Sequence, residues 1–361
     1  MWFEQLDQMR RQQGQWLDAL GYGPVQTPAR TVLSTPMLSL KAYDSPSNGS
    51  INGHRPEGSK GQPSLLIVPA PIKRAYIWDI APAASVVQAC LRQGIAVYLI
   101  QWEHPGADAQ KLGLADYADR GIAACLDAIA AERGPQLPFI AGHSLGGTLA
   151  AIFAALQPER LQGLLLLGAP LHFGPDTGIF ESMLAQSPST LELTAQLGNV
   201  PGSFLDQVCI TADPAAFVAA PWLDWMACAA DGEASRLHLQ VRRWTLDEMP
   251  LPRRLFEEVV DRLYRGNELS LGTLQVDGRR VAPQQIGAPL LNVVERGSRL
   301  VPPQAVQPVH EKAASRNKEW LWYDGDQGVV LQHVGPLVGR EAHRTLWPRI
   351  LEWLHAQHEP H

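Results

Sequence analysis

The 361-residue chain is poor in charge and in cysteine, and it lacks several motifs that would otherwise define its chemistry. Charged residues make up only 18% of it, the net charge is -6 and the pI about 6.0. A nucleic-acid surface needs clustered Lys and Arg, so no nucleic-acid partner is expected. Low charge with 45% hydrophobic residues argues against disorder over most of the chain. The length suffices for one large domain, or a domain with an insertion. The four cysteines, Cys90, Cys125, Cys209 and Cys228, form no C-x-x-C pair and have no metal-ligand spacing. They read as reduced core residues. There is no H-E-x-x-H, no P-loop and no G-x-G-x-x-G after a strand, so neither metal nor cofactor is expected. No run reaches the roughly 18 apolar residues of a membrane span. The first residues, Met1 to Gln5, lack a basic start followed by an apolar run, so a signal peptide is not expected and a cytoplasmic location is.

What is present is periodicity. Residues 1–30 form an N-terminal segment whose apolar positions Trp2, Leu6, Met9, Trp16, Leu17 and Leu20 have helical spacing. Thr31 to Tyr43 reads as extended. Ser45 to Pro63, rich in Ser, Asn, Gly and Pro, reads as a surface loop and a long hairpin connection. From Ser64 onward short apolar runs alternate with helical stretches. Strands are expected at Ser64–Val68, Ile95–Trp102, Leu137–Ala141 and Leu161–Leu167, with helices ending at Gln93, Arg133 and Leu156 between and after them. Such alternation specifies a doubly wound, mostly parallel sheet. It stops in residues 175–249, rich in Pro, Trp and helix formers, which read as a helical cap insertion. It resumes with a helix near Arg253–Tyr264, strands at Pro289–Val294 and Glu319–Tyr323, and a closing helix at Glu341–Gln357. The core is thus expected in two parts, 31–174 and 250–361.

One short string carries chemistry because of where it falls. Gly142-His143-Ser144-Leu145-Gly146 follows a buried strand directly and opens a helix directly. That is the strand–turn–helix nucleophile elbow of the α/β-hydrolase fold, in which Gly142 and Gly146 permit a tight turn that lifts the Ser144 hydroxyl clear of the sheet. Acyl transfer needs preorganised N–H donors for the developing oxyanion. Leu145 supplies one backbone N–H. The loop after the first buried strand supplies the other, and Ile72 is the candidate because Pro71 has no N–H. Serine also needs a neighbouring base. His333, after the strand at Glu319–Tyr323, is in the right place, and Ser precedes His in this fold. His343 and His355 read as surface residues, whereas His104 and His172 could line a pocket. The acid is open. Glu295 is the only carboxylate in the loop after the Pro289–Val294 strand, and Asp324, Asp326 and Asp176 are alternatives.

Nine segments in order carry a family resemblance. They are Leu65–Val68 followed by Lys73–Asp79, Val97–Trp102, Gly146–Thr148, Asn199–Gly202, Arg243-Trp244 with Asp247, Asn267–Leu269, Asp277–Val281, Leu300–Pro303 and His333–Gly335. From about Leu33 to Leu354 the chain resembles the polyhydroxyalkanoate synthases of the shorter, two-component kind. The resemblance implies an α/β-hydrolase core with a cap over the active site. It also implies polymerisation of 3-hydroxyacyl groups from coenzyme A thioesters by a cysteine, an aspartate and a histidine, and dimers formed through the cap. His333 falls on the family histidine. The chain departs from the family at the nucleophile, which is Ser144, and at the aspartate position, which is Ser298. It is similar also to the wider lipase and esterase group, which carries serine in that box.

The reading that follows is a serine-dependent acyl-transfer enzyme, esterase- or thioesterase-like. Its substrates would be acyl or 3-hydroxyacyl esters or CoA thioesters, through an acyl-serine. The alternatives are a divergent synthase or acyltransferase, and a weakly active homologue that binds an acyl chain, a polymer granule or a synthase-type subunit. Lys73, Arg74, Arg279 and Arg280 could meet coenzyme A phosphates, with plain surface solvation as the simpler reading of each.

Overall fold

The computed structural model describes residues 2–43, 61–180, 183–184 and 187–358. Most of the Ser45–Pro63 loop therefore lies outside the described residues. The strands are β1 (Arg30–Ser34), β2 (Leu38–Tyr43), β3 (Ser64–Val68), β4 (Asp79–Ala81), β5 (Ala84–Ser85), β6 (Ala96–Trp102), β7 (Phe139–His143), β8 (Gly163–Leu167), β9 (Leu274–Val276), β10 (Arg279–Val281), β11 (Leu290–Glu295) and β12 (Lys318–Tyr323). Eight of them form one sheet in the order β1-β2-β6-β3-β7-β8-β11-β12. From β6 to β12 every neighbour is parallel, and β1 and β2 close one edge antiparallel. The connection through residues 44–63 is not a hairpin between paired strands, because β6 lies between β2 and β3. A Gly/Pro/Ser-rich stretch signals a chain reversal but does not say which strands pair.

All five residues of β3, β7 and β8 are buried. Side chains alternate across a strand, and each of these runs feeds two cores. Leu66, Val68, Ile140, Leu164 and Leu166 pack on one face with the helices Gly121–Arg133 and Leu145–Leu156. Leu65, Ile67, Phe139, Leu165 and Leu167 pack on the other, with Val86–Arg92 and Trp347–His358. Each fully buried aliphatic side chain contributes about 1.5–3 kcal/mol. The helices stop for local reasons: Gly94 at φ 71 ends the 86–92 helix and Gly134 at φ 83 ends the 121–133 helix.

Among the described residues, 175–249 contain no strand and carry the helices Thr190–Leu197, Gly202–Ala212, Ala220–Cys228 and Gly232–Thr245. The N-terminal helix Trp2–Leu17 packs on the second and fourth of these. Its Asp7 accepts the Ser203 N–H at 2.8 Å, and Arg10 donates to Glu248 at 3.0 Å. The β9–β10 hairpin was not anticipated, although its turn, Asp277-Gly278 at φ 47 and 73, carries the usual two-residue signature. No helix among the described residues is long and apolar enough to cross a membrane.

Candidate active site

Ser144 directly follows β7 and opens the 145–156 helix with φ 54 and ψ -133, a conformation that L-residues avoid. Its N–H donates to the Leu167 carbonyl on the neighbouring strand at 3.1 Å, which pins the turn to the sheet. The glycines are required by space. A Cβ on Gly142 would lie 2.5 Å from the Gly147 Cα, and one on Gly146 would lie 2.2 Å from the Val68 carbonyl oxygen. The second approach presses the helix N-terminus against the end of β3, where the Ile72 loop begins. The Ile72 carbonyl accepts the Met249 N–H at 3.0 Å, while its own N–H has no acceptor among the described residues. Leu145, the first residue of the helix, has a backbone N–H that the helix leaves unpaired.

Ser144, Leu145, Ile72, His143, Glu295 and His333 all line one cavity of about 530 Å³, whose walls are mainly apolar. Its far side is formed by the 190–245 helices, through residues such as Leu193, Leu205 and Phe217. Within it His333 is packed on His143, ring centroids 4.5 Å apart. His143 Nε2 lies 2.8 Å from the His333 carbonyl oxygen, so Nε2 carries the proton and donates it. Burial lowers the His143 pKa to about 4. Burial, and then the neighbouring His143, hold His333 well below the ordinary imidazole value. Both rings are thus neutral at pH 7, the state a general base needs. His333 Nε2 is buried without a hydrogen-bond partner.

Among the described residues no carboxylate is hydrogen-bonded to His333. Glu295 ends β11 with its carboxyl pushed upward by burial, against a hydrogen bond from the Ser298 hydroxyl that pulls it down. It shares the cavity with His333 without bonding to it. Asp324 is exposed and paired with Arg296 at 2.8 Å. Asp326 accepts the Glu341 and Ala342 N–H groups at 3.2 and 3.0 Å and so caps the closing helix. Asp176, His104 and His172 are not among the lining residues, and His172 bonds Ser270 at 2.8 Å instead. His343 is not a surface residue: it is half-buried, 2.9 Å from the Leu337 carbonyl and stacked on Trp347. His355 is half-buried too. The four cysteines are free, and Cys209 departs from the core reading because it lines the cavity. The cations singled out in sequence all have polar partners, and Arg279 and Arg280 are at the same time exposed to solvent. Lys73 meets Glu248 at 2.9 Å and the Thr245 carbonyl at 2.6 Å, Arg74 lies 3.7 Å from Asp247, Arg279 pairs with Asp119, and Arg280 bonds the Gly272 carbonyl at 2.6 Å.

The segment leading to His333 is strained in a way no sequence pattern signals. Val330 has φ 63, and the Leu331 N–H closes back on the Val329 carbonyl at 2.6 Å. A three-residue turn with a β-branched residue at positive φ costs about 1–3 kcal/mol. It is held from outside. Asp224, on the 220–228 helix, accepts the Gly328 N–H at 2.8 Å and the Val330 N–H at 2.9 Å, and meets His238 Nδ1 at 2.8 Å. Asp224, His238 and Val330 went unremarked in the sequence because an isolated Asp on a helix and a Val in an apolar run carry no local signal.

Residues 62–318 match the model of a family described as "Protein of unknown function (DUF3141)". Among curated proteins, the chain is 31% identical over 290 residues to a poly(3-hydroxyalkanoate) polymerase subunit PhaC of Haloferax mediterranei, covering 80% of this chain and 58% of that one. It is 26% identical over 330 residues to the subunit of the same name from Allochromatium vinosum, covering 91% and 88%. Among solved structures it is similar to a monoacylglycerol lipase of Paleococcus ferrophilus, with TM-score 0.54, 17% identity and coverage of 89% and 99%. It is similar also to a monoglyceride lipase of Saccharomyces cerevisiae, with TM-score 0.56, 12% identity and coverage of 93% and 97%. At such identities the structural likeness shows the fold, that of the α/β-hydrolases, and the eight-stranded sheet agrees with it.

Proposed function

The chain belongs to the DUF3141 family and is a relative of the poly(3-hydroxyalkanoate) polymerase subunits, and from that premise we propose that it is an acyl-transfer enzyme acting through Ser144. The observation that carries the reading is the backbone of Ser144, held at φ 54 on its elbow and opening into the cavity that His333 also lines.

In this reading the 190–245 helices serve as the cap, and an acyl ester or thioester enters beneath them with its chain against the apolar wall. Ser144 Oγ attacks the acyl carbonyl carbon while His333 takes its proton. The Leu145 and Ile72 N–H groups receive the oxyanion. Collapse of the tetrahedral intermediate breaks the bond to the leaving alcohol or thiol, which takes the proton from His333. The acyl-serine is then released to an acceptor that His333 deprotonates in turn. The relatives' name supports a 3-hydroxyacyl group as the acyl moiety. Serine rather than cysteine at position 144 supports water or an alcohol as acceptor, because an oxygen ester exchanges less readily than a thioester. The test is turnover of a 3-hydroxyacyl coenzyme A thioester, with thiol release and product identity followed together. Free acid as the product supports hydrolysis, polymer or a transferred acyl group supports a synthase or acyltransferase, and no release in either form contradicts the proposal.

A second reading has one observation in its favour. No carboxylate among the described residues bonds His333, and a base without its acid favours a homologue that binds an acyl chain and turns it over weakly. It predicts tight acyl binding that Ser144→Ala leaves intact, with negligible thiol release.

A further inference from the structure

The turn before His333 meets the 190–245 helices at two independent places. Asp224 accepts both the Gly328 and the Val330 N–H groups. Gly328, at φ 76, packs so closely on the 232–245 helix that a Cβ there would lie 3.0 Å from the Ala234 carbonyl oxygen. The Asp224 side chain is 11% exposed, and His238, 6% exposed and set against Trp225, holds its Oδ2. Burial alone would raise this carboxyl, but the hydrogen bonds from His238, Val330 and Gly328 outweigh it and keep it below the ordinary aspartate range. Asp224 is therefore an ionised acceptor, and hydrogen bonds to a charged acceptor are the strong kind. The turn it holds is one that Val330 resists, since a β-branched residue at positive φ relaxes toward negative φ when released. Three residues further on, the chain reaches His333, whose ring is packed on His143 and whose Nε2 has no hydrogen-bond partner among the described residues.

We propose that Asp224 is a positioning residue for His333: from the 220–228 helix it holds the Val330 turn in its strained form, so that His333 faces the cavity only while that helix is seated. The inference rests on the reading of His333 as the base. It makes base placement depend on the helices that cover the cavity, whereas the nucleophile is placed by the sheet and the 145–156 helix packed on it. A helix that lifts away takes Asp224 with it, the Val330 turn relaxes, and the imidazole leaves the cavity that Ser144 lines. Activation of the serine is thereby coupled to closure over the bound acyl chain.

The experiment combines two readouts on full-length protein. One is amide hydrogen exchange of the peptide covering residues 327–334, and the other is the rate at which a fluorophosphonate labels Ser144. Asp224→Ala is expected to speed exchange of that peptide at least tenfold and slow labelling at least tenfold, with exchange of β3, β7 and β8 unchanged. Asp224→Asn, which keeps one acceptor oxygen and serves if the alanine variant does not fold, is expected to fall between. Adding Val330→Gly to Asp224→Ala is expected to recover labelling to within about threefold of wild type, because glycine adopts positive φ without help. A merely structural Asp224 would not be rescued by a glycine 106 residues away in sequence. Unchanged exchange in both Asp224 variants, or no recovery of labelling by Val330→Gly in a folded protein, overturns the proposal. If the wild type itself is not labelled, the reading of Ser144 and His333 falls, and the exchange data still decide whether Asp224 holds the turn.

Discussion

Every residue of β3, β7 and β8 is buried, whereas the 220–228 helix leaves Trp222, Leu223 and Met226 between 61% and 67% exposed. The sheet is held by apolar packing on both faces. The 190–245 helices bury a smaller apolar share, through residues such as Val241 and Trp244, and are tied down also by polar contacts: Asp224 to the turn before His333, Arg299 to Asp213 at 3.3 Å, and Arg340 to Asp231 at 3.0 Å. The difference teaches where the candidate site is rigid and where it can move. Ser144 sits on the first kind of structure, with glycines so crowded by backbone that the elbow has one conformation. His333 sits at the junction with the second.

The comparison can be broken at its catalytic end first. His333→Ala is expected to lower kcat by about 10³-fold or more on an acyl thioester, with the fold intact by circular dichroism. A loss under tenfold would remove His333 from the mechanism. Next comes stability. Leu165→Ala, in the middle of β8, is expected to cost about 2–5 kcal/mol in urea unfolding, whereas Leu223→Ala on the exposed 220–228 helix should change it by no more than about 0.5 kcal/mol. Equal effects would erase the distinction between the two regions.

Acid titration sharpens the point. His143 has an ordinary value of 6.5 in the unfolded chain and about 4 when buried, so below pH 6.5 the unfolded state binds the proton first. Stability is then full above pH 6.5 and falls as the pH drops toward 4, by about 3 kcal/mol from this group, and His333 acts in the same direction. Denaturant midpoints from pH 7.5 to 4 check this, and His143→Asn should flatten the slope. The smallest effect concerns the acid. Glu295→Gln is expected to lower kcat about tenfold, because the carboxyl shares the cavity with His333 without bonding it. A loss of 10³-fold would instead mean that Glu295 closes on the imidazole during turnover.

How much of this was legible in the sequence depends on the range of the physics involved. β3, β7 and β8 announced themselves as continuous apolar runs, and the elbow as a glycine-framed serine between a strand and a helix, because strand burial and turn sterics are local. Their order in the sheet was less accessible, which is why the segment before β3 was read as a hairpin when β6 lies between its flanking strands. His343 was placed at the surface because a helix period does not say which neighbour covers a given face; here Trp347 and the Leu337 carbonyl do. The hydrogen bond from His143 to the His333 carbonyl joins positions 190 residues apart, and the Asp224–Val330 bond joins positions 106 apart. Val330 at positive φ runs against the preference of its own side chain, so the sequence there argues for the wrong conformation.

The central claim, an activated Ser144, is tested most directly by intact-mass measurement after reaction with a fluorophosphonate, beside Ser144→Ala. Such a probe forms a phosphorus–oxygen bond with the serine and expels fluoride, which requires both a base and an oxyanion hole. The account predicts a single adduct on the wild-type protein that is absent from Ser144→Ala. A folded wild-type protein that gains no mass, or a Ser144→Ala protein that still gains it, would contradict the account.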